Sequence, residues 1–308
     1  MVCYRPVQAH IMGYNANGKA NIVFNCKDSA YEQNGVKLPC GKCIGCQIRR
    51  AREWSIRCMH ESRSFENNCF LTLTYDEEHL PERNSIEPYD FQCFMKRLRQ
   101  KVKVKLRYFH CGEYGKKLGR PHYHCILFGY NFPDRKLLQE KPFKRYRSEL
   151  LESLWTKGFS MVCDLTAASA AYVARYSTKK KYGDEAASHY GDKHPEYVTM
   201  SLKPGLGYEW YKKFRNDLYP GGFYVYNGYK IAIPKYYDKL YERDDPEGMH
   251  KIKLARMNHV KYNRSTVLEV IEGERRMVDN NDLIRLDVRE RVKLSQIRNL
   301  KRTLEELE

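Results

Sequence analysis

Two histidines one residue apart, His122 and His124 around Tyr123, form the first pattern in this 308-residue chain whose types and spacing could do chemistry. Alternate side chains of an extended strand share a face, so both imidazoles point the same way with Cα atoms about 6–7 Å apart, within reach of one metal ion. Ile126 and Phe128 continue that face, which puts the histidines at the accessible start of a strand anchored in a core. Glu113 precedes His122 by nine residues. An antiparallel return through Tyr114–Pro121, with its glycines and proline, would set the carboxylate beside the imidazoles. Glu113, His122 and His124 together suit Mg2+ or Mn2+, with coordination positions left for phosphate oxygens. The competing reading is a pair of structural histidines. His110, at odd spacing from Glu113, is expected to pack on the opposite face.

A second constellation is Tyr172-Val-Ala-Arg-Tyr176-Ser-Thr-Lys179. On a helix, residues three and four apart share a face, so Tyr172, Tyr176 and Lys179 align. Ala170, Val173, Ala174 and Ser177 form a small-residue face that could sit close on a sheet. A phenolate can attack phosphorus in line and keep the phosphoryl group as a covalent ester, while a neighbouring metal offsets charge on the nonbridging oxygens. Lys179 could lower the Tyr176 pKa or neutralise the transition state. Two tyrosines would permit a second cleavage while the first still holds a strand end. Tyr176, with the lysine three residues on, is the narrow favourite for the first attack. Ordinary amphipathic tyrosines at a core edge are the alternative.

Cys40-Gly-Lys-Cys43-Ile-Gly-Cys46 gathers three thiols within seven residues. That spacing is compatible with Zn2+ if a fourth ligand such as Cys26 or Cys58 folds in, and equally with free thiols in a tight turn. A ferredoxin-type cluster would want a further cysteine where Arg50 stands. The basic stretch 47–65 that follows reads as a helix. Arg49, Arg50 and Arg52 on it, with Arg120 beside the histidines, are candidate DNA contacts; a solvated helix face is the plainer reading of the first three.

The elements that would position these groups fall into three regions: 1–66, with the cysteines and the basic helix; 67–200; and 201–308, a charged and mostly helical accessory region. In the middle one, Phe70–Tyr75 alternates with period two as a strand, with Thr72 and Thr74 on one face. Phe91, Phe94, Met95, Leu98 and Val102 recur at helical spacing. Strands are expected at 106–113, 122–129 and 159–165, and helices at 144–155 and 167–181. The order implies an α+β fold, an antiparallel sheet with helices on its faces.

Lys and Arg outnumber Asp and Glu by 55 to 38, and the formal charge of +17 favours nucleic acid over an anionic membrane surface. The 25 tyrosines and 12 phenylalanines could stack on unpaired bases, which suits single strands. No apolar run has the length of a membrane span, and Met1–His10 lacks the order of a signal peptide, so no membrane partner and a cytoplasmic location are expected. The 11 cysteines are then mostly small buried hydrophobes.

Phe70–Tyr75, Pro121-His-Tyr-His124 and Tyr172-x-x-x-Tyr176-x-x-Lys179 resemble, in order, the three motifs of the HUH rolling-circle endonucleases. Leu38–Cys46 followed by arginines, with Gly112-Glu-Tyr-Gly115 before Arg120–His124, looks more closely like the replication initiators of small single-stranded DNA bacteriophages, the gokushovirus branch of the microviruses. The likeness spans about residues 36–180. It implies a central antiparallel sheet of about five strands, the histidines on a middle strand and the tyrosine helix alongside. It also implies an enzyme of the host bacterial cytoplasm that nicks single-stranded DNA at the replication origin, stays on the 5′ phosphate and leaves a 3′ hydroxyl for the host polymerase, with a host helicase as a further partner. A second transfer would circularise the genome. A relaxase or transposase of the same chemistry, and a non-catalytic single-strand binding module, are the alternatives.

Overall fold

The computed structural model describes residues 3–15, 20–24, 35–115, 117–176, 184–226, 228–262, 266–271, 274–279 and 281–299. The chain forms two compact units, Met1–Arg49 with Ala255–Lys301 and Arg50–Leu254 with Arg302–Glu308. In chain order the elements are β1 (Val7–Tyr14), β2 (Ala20–Val23), β3 (Gly35–Leu38), α1 (Ile44–Ser62), β4 (Asn68–Thr74), α2 (Pro88–Val102), β5 (Arg107–Tyr114), β6 (Pro121–Phe128), β7 (Lys136–Gln139), β8 (Arg145–Arg147), α3 (Glu149–Leu154) and β9 (Ser160–Asp164). Then follow α4 (Ala167–Tyr176), α5 (Asp184–Tyr190), β10 (Tyr197–Met200), α6 (Tyr208–Leu218), β11 (Phe223–Tyr226), β12 (Tyr229–Ala232), α7 (Lys235–Asp244), α8 (Pro246–Tyr262), β13 (Thr266–Ile271), β14 (Glu274–Asp279) and α9 (Leu283–Arg298). No helix among the described residues is long and apolar enough to cross a membrane.

The larger unit is an α+β structure built on a seven-stranded sheet of order β10-β5-β6-β4-β9-β8-β7, every neighbour antiparallel. It exceeds the expected five strands by two short ones, β7 and β8, at one edge. Strand β8 also takes the start of a segment expected to be helical from Lys144: Arg145 and Tyr146 pair with Cys163 and Val162. The helix starts only at Glu149, where the Ser148 side chain accepts a hydrogen bond from the Leu151 N–H.

Alternation in the middle strands sends one apolar set to each face. Leu71, Leu73, Tyr123, Cys125 and Leu127 face α2 and α3, packing with Phe91, Phe94, Leu98 and Trp155. Phe70, Phe109, Ile126 and Phe128 face the opposite way with Ala170, Tyr172, Val173 and Tyr176 of α4. Burying each large apolar side chain contributes about 1.5–3 kcal/mol, so a one-residue slip of β6 would be heavily penalised. A third cluster joins α6 and α7 through Trp210, Tyr211, Tyr237 and Leu240. His110 faces α2, stacked on Phe91 at 3.3 Å between ring centres, with Nδ1 3.0 Å from Thr199 Oγ1.

The Pro204–Gly207 segment is tied to the sheet by charge. Glu61 of α1 and Arg107 of β5 form a buried ion pair. Glu61 also accepts from the Gly207 N–H at 2.6 Å, and Arg107 donates to the Pro204 carbonyl at 2.6 Å.

The smaller unit contains the three-stranded sheet β2-β1-β3, the hairpin β13-β14 and α9. Strands stand where irregular polar sequence was expected, because these segments carry too few apolar residues to print a period-two signal.

Candidate active site

The register of three central strands assembles the site. Glu113 of β5 lies directly opposite His122 of β6, while Thr72 and Thr74 of β4 lie opposite His124 and His122. All these side chains share the face that carries α4. Glu113 Oε1 is 3.2 Å from His122 Nε2 and 3.0 Å from His124 Nε2. One ligand atom from each of the three residues lies within 4.8 Å of the others. All three are buried, with Glu113 fully so. Burial pushes the Glu113 carboxyl up, but hydrogen bonds from His122 and His124 and their charge outweigh it and hold it at about 2. An ionised carboxylate and two imidazoles converging on one point are a donor set that fits a divalent cation.

The rest of the sheet orients the imidazoles. His122 Nδ1 is 3.2 Å from the Arg120 carbonyl, to which its N–H donates, so Nε2 is the nitrogen turned to Glu113. Thr72 Oγ1 lies 3.1 Å from His124 Nδ1 and leaves His124 Nε2 facing the site. Thr72 was placed on the correct face by strand alternation, but nothing in a single threonine announces this contact.

Helix α4 starts on a reciprocal capping pair. Thr166 Oγ1 accepts from the Ser169 N–H at 3.1 Å and Ser169 Oγ accepts from the Thr166 N–H at 2.8 Å. Fully buried Ala170, Val173 and Ala174 let the helix approach the sheet closely. Tyr172 Oη comes to 3.2 Å from His124 Nε2. The Tyr176 ring lies near-parallel to His124 with centres 5.9 Å apart, and 5.0 Å from the Tyr172 ring. Lys179 lies outside the described residues.

The site opens into a cavity of about 1000 Å³. Its wall includes His122, His124, Tyr172, Arg120, Arg145 and Phe159. Arg120 pairs with Glu77 and donates to the Tyr75 carbonyl at 3.1 Å. Phe159 is 73% exposed, an unusual place for a large aromatic ring unless something stacks on it. Gly158 before it has φ +142°, and a Cβ there would stand 2.3 Å from the Asp76 amide nitrogen, so only glycine lets this wall close on β4. Arg50 and Arg52 lie on α1 and are not among the cavity-lining residues; Arg49 belongs to the smaller unit. Phe159 and Arg145 were not singled out in the sequence, since a lone aromatic or arginine carries no pattern.

In the smaller unit, Cys40, Cys43 and Cys46 come together with Cys3. Cys58, one of the two residues considered as a fourth ligand, is instead buried in the α4-side core of the larger unit. Cys26, the other, lies outside the described residues.

A family model described as replication-associated protein ORF2 matches residues 68–181. The replication-associated protein VP4 of Bdellovibrio phage phiMH2K is 38% identical over 258 residues, covering 80% of this chain and 79% of the relative. The replication-associated protein ORF2 of Spiroplasma virus 4 is 28% identical over 301 residues, 91% of each chain. The replication-associated protein ORF4 of Chlamydia phage 1 is 34% identical over 221 residues, 68% of this chain and 54% of the relative. No solved structure matches the chain.

Proposed function

This chain belongs to the replication-associated proteins of small bacteriophages, and from that premise we propose that it initiates replication by nicking single-stranded DNA at the origin, with Tyr172 as the first nucleophile. The observation that carries the reading is the 3.2 Å approach of Tyr172 Oη to His124 Nε2, itself 3.0 Å from Glu113 Oε1. A nucleophile and a cation-binding donor set are thus within one phosphate's reach of each other.

In the proposed reaction a backbone phosphate enters the cavity along Arg120 and Arg145, which offset its charge, while Phe159 stacks on an adjacent base. Tyr172 Oη attacks phosphorus in line and forms a Tyr–O–P ester with the 5′ phosphate. The P–O3′ bond breaks, the departing 3′ oxygen gains a proton, and the phenol gives one up. One ester replaces another, so no external energy source is needed, and the free 3′ hydroxyl can prime the host polymerase. Mg2+ or Mn2+ held by Glu113, His122 and His124 would supply Lewis-acid stabilisation of the nonbridging oxygens. Thr72 and the Arg120 carbonyl keep both imidazoles aimed at that position. Tyr176, one turn along the same buried face, is suited to the second transfer that releases and closes a unit-length circle. The narrow preference for Tyr176 from its lysine spacing yields here to Tyr172, whose hydroxyl meets His124 and whose side chain lines the cavity.

The experiment is incubation with Mn2+ and oligonucleotides tiling the viral-sense strand, labelled at the 3′ end. The expected result is a labelled protein band on a denaturing gel, absent with EDTA and absent from the Tyr172→Phe, Tyr176→Phe double variant. Tight single-strand binding with no adduct under any condition would instead support a non-catalytic module.

A further inference from the structure

We propose that Cys3, Cys40, Cys43 and Cys46 bind one Zn2+ ion that folds the smaller unit. The assignment stands apart from the nicking reaction and uses none of its residues.

Strand pairing brings in the fourth thiol. β1 and β3 run antiparallel with Val7 opposite Leu38 and Gln8 opposite Lys37. Residues just before β1 therefore lie beside those just after β3, and Cys3 meets Cys40 across 37 residues of sequence. Cys3 Sγ is 3.6 Å from Cys40 Sγ and 3.8 Å from Cys43 Sγ, and all four sulfurs lie within 4.8 Å of one another. A tetrahedral ion with Zn–S bonds of about 2.3 Å has S···S edges of about 3.8 Å, so the thiols already stand at the spacing one zinc ion requires. A disulfide would use two of the four and leave the convergence of the others unexplained.

The surrounding backbone is arranged as a thiolate shell. The Tyr4 N–H donates to Cys43 Sγ at 3.3 Å, the Cys40 N–H to Cys3 Sγ at 3.3 Å, and the Cys43 N–H to Cys40 Sγ at 3.2 Å. Such donors offset the charge of metal-bound sulfur. Gly41 takes φ +76°, the left-handed turn that aims both flanking thiols inward. With four protein donors no position is left for substrate, which marks a structural site, unlike the three-donor set at Glu113.

The smaller unit also lacks an alternative source of stability. Among its described residues the buried apolar side chains are Ala9, Cys43, Cys46 and Leu286. A unit so poor in core needs a cross-link, and metal affinity becomes folding free energy when the site exists only in the folded state. The buried Glu290 of α9 extends the brace. Its carboxylate is 2.7 Å from Arg5 Nε and accepts from the Ile44 N–H at 3.4 Å, so α9 is fastened to the segments on both sides of the thiols.

The test is metal content of the full chain purified in reductant, by elemental mass spectrometry. The expected result is about one zinc per chain, the number a four-thiolate site takes. Glu113→Ala should retain it, Cys3→Ser should lose it, and Cys3→His, which restores a ligand, should recover it. Exchange of Co2+ into the wild-type chain should give the visible and sulfur-to-metal charge-transfer bands of a tetrahedral four-thiolate site, a readout that does not depend on any variant folding. Iron in place of zinc, zinc undiminished in Cys3→Ser, or a weak non-tetrahedral Co2+ spectrum would each overturn the proposal.

Discussion

The Tyr172 hydroxyl lies 3.2 Å from His124 Nε2, and Thr72 Oγ1 lies 3.1 Å from the other nitrogen of the same ring. One imidazole thus connects the helix that carries the nucleophile to the strand next to its own. Removing the hydroxyl that orients a metal-ligating histidine typically costs about 10–100-fold in metal affinity or activity. Thr72→Val, nearly the same shape, is expected to weaken Mn2+-dependent adduct formation within that range without lowering thermal stability. Unchanged Mn2+ dependence would remove Thr72 from the account.

Phe159 should bind DNA rather than support the fold, being 73% exposed at the cavity wall. Stacking of one base on an aromatic ring contributes about 1–3 kcal/mol. Phe159→Ala should weaken single-strand binding by that amount in fluorescence anisotropy, while Phe159→Trp preserves it. Equal affinity in all three chains would contradict the stacking role.

The Glu61–Arg107 pair is a stability element distant in sequence from the chemistry. Removing one partner of a buried ion pair leaves the other uncompensated and costs about 3–5 kcal/mol. Glu61→Ala additionally strips the acceptor from the Gly207 N–H. Urea denaturation should show a loss of that size; a shift under about 1 kcal/mol, roughly the median for an exposed pair, would mean that water reaches the site.

Acid should destabilise the larger unit through His60. Burial, assisted by the Arg63 charge, lowers its pKa from 6.5 to about 3, with Nδ1 3.1 Å from Tyr237 Oη and the ring stacked on Trp210. The unfolded chain then binds the proton more readily, so the neutral ring's contribution is whole above pH 6.5 and is lost as pH falls toward 3. His110, shifted the same way by burial and by His124, adds to the trend. The melting temperature should fall between about pH 7.5 and pH 5, less steeply in His60→Phe. A wild-type chain equally stable at both pH values would contradict the assignment.

The donor set at Glu113, His122 and His124 is readable because two local rules generate it: period two puts His122 and His124 on one face, and a short hairpin fixes Glu113 opposite His122. The close seat of α4 follows from Ala170, Val173 and Ala174 in the same way. The choice between Tyr172 and Tyr176 is not readable, since both lie on one helical face and only the placement of α4 on β5 and β6 decides which hydroxyl meets His124. Cys3 escapes for a related reason, as its partner lies 37 residues away and the strands that join them are short and polar. Arg145–Arg147 reads as helix because three residues are too few to display alternation, and their pairing with β9 is a tertiary choice.

The central claim, that Tyr172 makes the first attack, is open to a direct reading. Trypsin cleavage after Lys157, Arg175 and Lys179 separates the two tyrosines, leaving Tyr172 in Gly158–Arg175 and Tyr176 in Tyr176–Lys179. Wild-type chain reacted once with single-stranded origin DNA and Mn2+, trimmed with nuclease and digested, is examined by mass spectrometry for a nucleotide adduct. The account predicts the nucleotide mass on Gly158–Arg175, fragmenting to Tyr172. An adduct confined to Tyr176, to another residue, or absent where the strand has been cut would contradict it.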